Sequence, residues 1–185
     1  MGWLDALLGR SKPAKPDLDA LFALPSAAVT LEAATGLAPT GQGSVAFRAA
    51  EGGAFAALER DVRALLGERV EESADRYGYT WLLVRRAPDA VSDLVTELHA
   101  VNSSLESAGF GPSLLCSLVS FAGPDGRRLA LVYLYKRGTF YPFAPQDGQR
   151  RDTALELQVK GVLEGELPLE RDLTRWFPVW GAPGL

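Results

Sequence analysis

The sequence predicts an α+β fold, a mainly antiparallel sheet with helices packed on it. Apolar residues recur at helical spacing in some segments and alternate with period two in others. Gly123-Pro124-Asp125-Gly126 separates two apolar runs and reads as a tight hairpin, which makes its strands antiparallel. The chain has 185 residues, 47% hydrophobic and 23% charged. A chain of this size buries roughly two thirds of its unfolded surface, enough for a core without a staple. One cysteine, Cys116, excludes an internal disulfide and a cysteine-cluster zinc site. One histidine, His99, excludes a multi-histidine metal centre. No continuous apolar run approaches the roughly 20 residues of a membrane helix, so no span is expected.

Residues 1–16 form an arm distinct from the domain at 17–185. Trp3, Leu4, Leu7 and Leu8 fall on one stripe of a short helix over 2–9. Pro13 and Pro16 then impose an extended spacer. Asp5 interrupts the apolar run and the basic residues follow it, so the arm is not read as a signal peptide. Ala6 stands where the myristoylation pattern needs Ser or Thr.

In the body, Asp17 reads as the N-cap of a short helix carrying Leu18, Leu21 and Phe22 and stopped by Pro25. Val29 and Leu31 alternate with Thr30 and Glu32, so 27–34 is assigned to a strand. Gly36, Pro39, Gly41 and Gly43 predict a loop. A strand follows at 44–49. Phe55, Leu58, Val62, Leu65 and Leu66 face one way on a helix over 53–66 that Gly67 closes. Strands come next at 69–74 and 79–85. Asp89 then caps a long helix with Val91, Leu94, Val95, Leu98, Asn102 and Leu105 inward, ended by Gly109.

Strands at 113–122 and 127–136 flank the hairpin. A short edge strand at 141–143 is limited by Pro142 and Pro145. Thr153 and Glu156 read as a capping box for a last helix with Leu155, Val159, Val162 and Leu163 inward. From 44 to 122 the order matches a ferredoxin-like split βαβ core, with extra strands after it. A secretion-chaperone-like sheet is the alternative arrangement of the same elements.

Residues 1–16 carry three basic side chains against one acidic, a net of +2. The remainder holds 16 basic and 22 acidic side chains, a net of −6. An acidic body without a basic aromatic stripe argues against nucleic-acid binding. Alanine is abundant and arginine outnumbers lysine 15 to 4, as in proteins of GC-rich bacterial genomes.

Catalytic chemistry finds little support. A serine triad would have to recruit His99, and no G-x-S-x-G turn is present. Cys116, between Leu114 and Leu118, reads as a small core residue without a cation to lower its pKa. Glu71-Glu72 and the Glu166, Glu170, Asp172 group read as solvated charge. The segment 36–44 lacks the lysine of a P-loop, and Gly109-Phe110-Gly111 closes a helix instead of opening one. No catalytic residue, cofactor or metal ligand is assigned.

Three segments fit an interaction protein better. The first is the arm, whose Trp3, Leu4, Leu7 and Leu8 either bind a partner or membrane or fold back onto the body. The second is Lys136, Arg137, Phe140, Tyr141 and Phe143, aromatics beside cations, which serve either as a partner surface or as core. The third is the tail 175–185, with Trp176, Phe177 and Trp180 between prolines. It either straps across the body or presents a ligand motif.

These segments, together with Leu18–Gly41, Leu94–Phe121 and Leu129–Pro145, resemble the actinobacterial phage-shock-protein-A-associated proteins of the AB type, the PspAB family. The resemblance covers nearly the whole chain and is weakest at 67–75 and 146–151. It implies a cytoplasmic, non-enzymatic adaptor of the envelope stress response, at the inner face of the cell membrane. Its partner would be phage shock protein A or the membrane-associated assembly of that protein. No catalytic residues are carried over with the resemblance. The alternative is an enzyme or small-ligand protein with a pocket between sheet and helices.

Overall fold

The structure is a computed structural model that describes residues 15–185. The expected arm helix over 2–9 lies outside the described residues. A 3-10 turn at Leu18–Ala23 leads into α1 (Leu24–Thr35), β1 (Ala38–Phe47), α2 (Gly53–Leu66), β2 (Val70–Ala74) and β3 (Thr80–Arg85). Then come α3 (Val91–Ser107), β4 (Leu114–Ala122), β5 (Arg128–Leu134), β6 (Thr139–Phe143), a two-residue ladder of β7 (Pro145–Gln146) with β8 (Arg150–Arg151), and α4 (Thr153–Leu163). Strands β1 to β6 form one sheet in the order β2-β3-β1-β4-β5-β6, every neighbouring pair antiparallel. The fold class is therefore α+β, with the four α-helices of the described residues contributing to one core cluster against the sheet. Each helical crossover leaves room for one strand: β3 lies between β1 and β2, and β1 between β3 and β4.

The segment 27–34 is helical, which corrects the strand expected there. Pro25 sits in the first turn of α1, where its missing N–H costs nothing, so it starts the helix that it was expected to end. Leu24, Ala27, Ala28 and Leu31 make the buried stripe. With the preceding 3-10 turn this gives Leu18–Thr35, 18 residues of mean hydropathy 1.2, long and apolar enough by composition to cross a membrane. Within the fold, Leu18, Leu21 and the α1 stripe are buried in the helix-side core. Phe22 points outward, 49% exposed, and lies against the His99 ring at 4.5 Å. Leu65 of α2 also faces solvent, contrary to its assigned inward position.

The glycine-rich loop expected at 36–43 is mostly strand. β1 begins at Ala38 and passes through a register shift between Pro39 and Gly43. Gly41 has φ +80°, and a Cβ there would lie 2.1 Å from the Arg86 carbonyl oxygen. At Gly43 a Cβ would come within 2.9 Å of both Leu118 O and Leu98 Cδ1. Gly41 thus admits the backbone that follows β3, and Gly43 permits the close approach of α3 to the middle of the sheet.

Two caps also differ from expectation. Ala90, not Asp89, precedes α3 and makes no side-chain bond. Asp152, one residue before Thr153, caps α4 by accepting from Leu155 N–H at 3.0 Å. Glu156 turns inward instead, accepting from Ala144 N–H at 2.9 Å and Arg151 Nε at 2.9 Å. The remaining strands match their predicted positions within two residues, except that β5 ends at Leu134 and gives way to a 3-10 turn, Tyr135–Arg137. β6 is an edge strand as expected, and Pro142 is accommodated there.

Gly43→Val should lower stability by about 1–3 kcal/mol through overpacking. Gly161→Ala, in α4 with no atom within 4 Å of the added methyl, should raise it by about 0.5–1 kcal/mol. Urea titrations of the two variants test the pair.

Candidate functional site

Among the described residues no helix covers the second face of the sheet. Side chains at matched register on neighbouring strands share a face. One row crosses all six strands: Ser73, Trp81, Ala46, Cys116, Leu134 and Thr139. The next row on that face is Glu71, Leu83, Ser44, Leu118, Val132 and Tyr141. Both rows are largely apolar in the middle, so this face needs a cover.

The C-terminal segment supplies that cover. Trp176, 6% exposed, stacks on Tyr141 at 6.1 Å, and its indole N–H donates to Glu170 O at 3.1 Å. The Tyr141 hydroxyl donates to Phe177 O at 2.7 Å, and burial pushes its pKa well up, so it keeps its proton. Trp180 meets Phe143 edge-on at 4.9 Å. Gly184 packs over Leu83, where a Cβ would lie 2.9 Å from Cδ1.

Glu170 anchors the start of this strap. Its carboxylate is 2% exposed and accepts from Arg137, from Thr139 Oγ1 at 2.9 Å and from Asp172 N–H at 3.0 Å. Burial alone would raise its pKa. The bonds from Arg137, the Asp172 amide and Thr139 outweigh burial and hold it below the ordinary 4.5.

Trp81, Ala46, Cys116 and Leu134 of the first row are buried too, beside a groove. The groove holds about 860 Å³ and runs between the 75–79 turn and residues 177–183. Trp81, Cys116 and Leu134 line its floor, Tyr77 and Tyr79 one wall, Phe177 and Val179 the other. Asp75 shapes the turn by accepting from Tyr77 N–H at 2.8 Å, Tyr79 N–H at 3.0 Å and the Trp81 indole at 3.0 Å. Burial pushes the Cys116 thiol up to about 12, so it is neutral and unreactive near neutral pH. Chemically, the groove can hold an apolar face.

The sequence-predicted body site divides. Lys136 is exposed, and Arg137 is committed to Glu170. Phe140, Tyr141 and Phe143 are 0%, 1% and 0% exposed. This corrects their assignment as partner-binding residues: strand alternation sends Phe140 to Tyr133 on the helix side and the other two under the tail. The strap reading of the tail is the one observed. Trp3, Leu4, Leu7 and Leu8 lie outside the described residues.

Sequence reasoning missed the groove itself. Its signal was available in β4 and β5, which are apolar on both faces and so ask for two covers.

His99 bonds Asp19 Oδ1 through Nε2 at 3.2 Å and Ser103 Oγ through Nδ1 at 3.3 Å. Asp19 is 87% exposed and Ser103 is one turn along the same helix, so the trio lacks the buried orienting carboxylate of a triad. Among the described residues no cluster of His, Cys, Asp and Glu could hold a metal ion. A smaller hollow of about 280 Å³ beside the hairpin turn sets Arg127, Arg128 and Arg150 against Asp125, Asp147 and Asp152.

The fold and groove define an α+β protein that covers one sheet face with helices and the other with its own tail, leaving a largely apolar groove. The chain belongs to the PspAB family: the family model described as PspA associated protein B matches residues 1–184. No curated protein matches the chain, and no solved structure does.

Ionised Glu170 stabilises the fold. Because its folded pKa lies below the ordinary 4.5, that stability is intact above 4.5 and is lost as pH falls through the folded value. Glu170→Ala should cost about 3 kcal/mol near pH 7 by stranding Arg137. Glu170→Gln should show a smaller fall in melting temperature on acidification than the wild type. Calorimetry from about pH 7 to pH 3 checks both.

Proposed function

We propose that this protein is a non-enzymatic adaptor of the envelope stress response that binds phage shock protein A or its membrane-associated assembly. The observation that carries the reading is the family match over 1–184, arm and body together, to proteins described as PspA associated. It acts in the cytoplasm, at the inner face of the cell membrane. Its partner-facing element is the arm: Trp3, Leu4, Leu7 and Leu8 form one apolar stripe in a segment that also carries Arg10, Lys12 and Lys15. Four apolar side chains make a weak anchor alone, so the arm works with a second contact from the body. The exposed Lys136 lies on the turn where the described chain begins, beside Gly138.

The alternative of a ligand pocket between sheet and helices has less support. That layer is a packed core with a space of about 10 Å³ near Phe47 and Phe55.

Trp3→Ala with Leu7→Ala should weaken capture by phage shock protein A at least ~10-fold, equivalent to about 1.4 kcal/mol. The melting temperature should move by no more than a surface substitution causes. Pull-down and liposome flotation with phage shock protein A test this. Unchanged capture by the double variant overturns the arm's role, and no capture of the wild type overturns the adaptor reading.

A further inference from the structure

The tail shows what kind of chain this sheet face already holds. Residues 176–180 read Trp-Phe-Pro-Val-Trp. The Tyr141 hydroxyl donates at 2.7 Å to the Phe177 carbonyl, which immediately precedes Pro178, while Trp176 stacks on the Tyr141 ring. Trp180 then meets Phe143 edge-on. Aromatic rings against the chain, with a hydroxyl on the carbonyl before a proline, form the kind of surface that takes polyproline II segments.

The groove continues this platform from the tail toward the 75–79 turn, and Tyr141, Phe177, Pro178 and Trp180 line it too. Its floor is buried, so an occupant meets the walls. Tyr77 and Phe177 are 63% and 56% exposed, and Tyr79 and Trp180 are half-buried. The charged groups there are engaged within the chain. Asp75 accepts from the Tyr77 and Tyr79 amides and the Trp81 indole. Arg76 lies over the Tyr77 ring at 4.9 Å and donates to its hydroxyl at 2.7 Å. Neither is free to select a charged ligand.

The unspent polar groups are donors. The indoles of Trp81 and Trp176 are bonded to Asp75 and Glu170 O. Among the described residues, the Trp180 indole N–H and the Tyr79 hydroxyl have no such partner, and both line the groove. They call for carbonyl oxygens. An ordinary extended peptide also brings N–H groups, and the carboxylate of Asp75 is already taken. Proline brings the carbonyl without the N–H.

We propose that the groove binds a proline-rich segment of a partner protein in the polyproline II conformation. Its proline rings lie between Tyr77, Tyr79 and Phe177, and its carbonyls accept from the Tyr79 hydroxyl and the Trp180 indole. Such a segment is ordered before it binds, so little conformational entropy opposes its docking. The inference concerns a surface apart from the arm and stands whether or not the adaptor reading does.

The full chain is titrated with a capped decamer of L-proline and, separately, with the capped decamer of D-proline, which has the same composition and the opposite hand. Binding is read from the amide and indole N–H resonances by NMR. The expected result is saturable shifts largest at 75–79 and 177–183, with the Trp180 indole among them, and a dissociation constant of about 1 mM or tighter. The D-peptide should bind at least ~10-fold more weakly. Tyr79→Phe keeps the ring under Arg48 and removes the hydroxyl alone. It should weaken binding of the L-peptide, as should Phe177→Ala, each by at least ~3-fold. Leu157→Ala, at an exposed position of α4 on the helix side, should leave binding unchanged. Absence of saturable shifts, equal affinity for the two hands, or full binding by both Tyr79→Phe and Phe177→Ala overturns the proposal. Equal affinity in particular would make the groove an unselective apolar patch. The comparison of the two peptides needs no variant, and thermal melts verify that each variant is folded.

Discussion

The two-sided burial of β4 and β5 is the constraint from which the rest follows. Val119, Phe121, Leu131 and Tyr133 belong to the helix-side cluster, while Cys116, Leu118, Val132 and Leu134 belong to the other. A sheet with apolar side chains on both faces is unstable in water until both are covered. Helices α1 to α4 meet one requirement. The tail meets the other, and it does so with a few large aromatic side chains in place of regular structure.

Polar groups hold these covers in register. Glu170 ties Arg137 and Thr139 to the start of the tail, and Glu156 ties Ala144 and Arg151 to α4. Arg151 reaches further, donating through Nη1 to Trp176 O at 2.6 Å, with its guanidinium over the Phe143 ring at 5.1 Å. Each buried carboxylate is bonded on more than one side, the condition under which a buried charge is tolerated. Leaving the turn 75–79 and residues 177–183 unjoined produces the groove.

Much of this was legible in the sequence, and the failures have local causes. Leu94, Leu98 and Leu105 show their helical period openly, and Gly123–Gly126 can hardly be anything except a tight turn. At 27–34 the alternation of Val29 and Leu31 competed with a helical stripe of small residues. Alanine contributes little to a hydrophobic pattern, although it is the best helix former. Gly41 and Gly43 read as loop because glycine usually marks turns, whereas here its missing side chain admits Arg86 O and Leu98. Phe140, Tyr141 and Phe143 looked like a binding surface because sequence does not reveal which strand faces are covered from afar. The two apolar faces of β4 and β5 announce a second cover, but where that cover leaves a groove depends on the distance between two remote segments.

The dependence of one sheet face on the tail also sets an order of events during synthesis. Phe143 leaves the ribosome before Trp176, so all six strands exist before their second cover does. At roughly 5–20 residues per second that interval lasts some seconds. During it Trp81, Cys116, Leu118, Val132 and Tyr141 face water or whatever apolar surface is nearest. The nascent chain is thus sticky on one side for a defined time, and it ceases to be so only when Trp176 and Trp180 arrive.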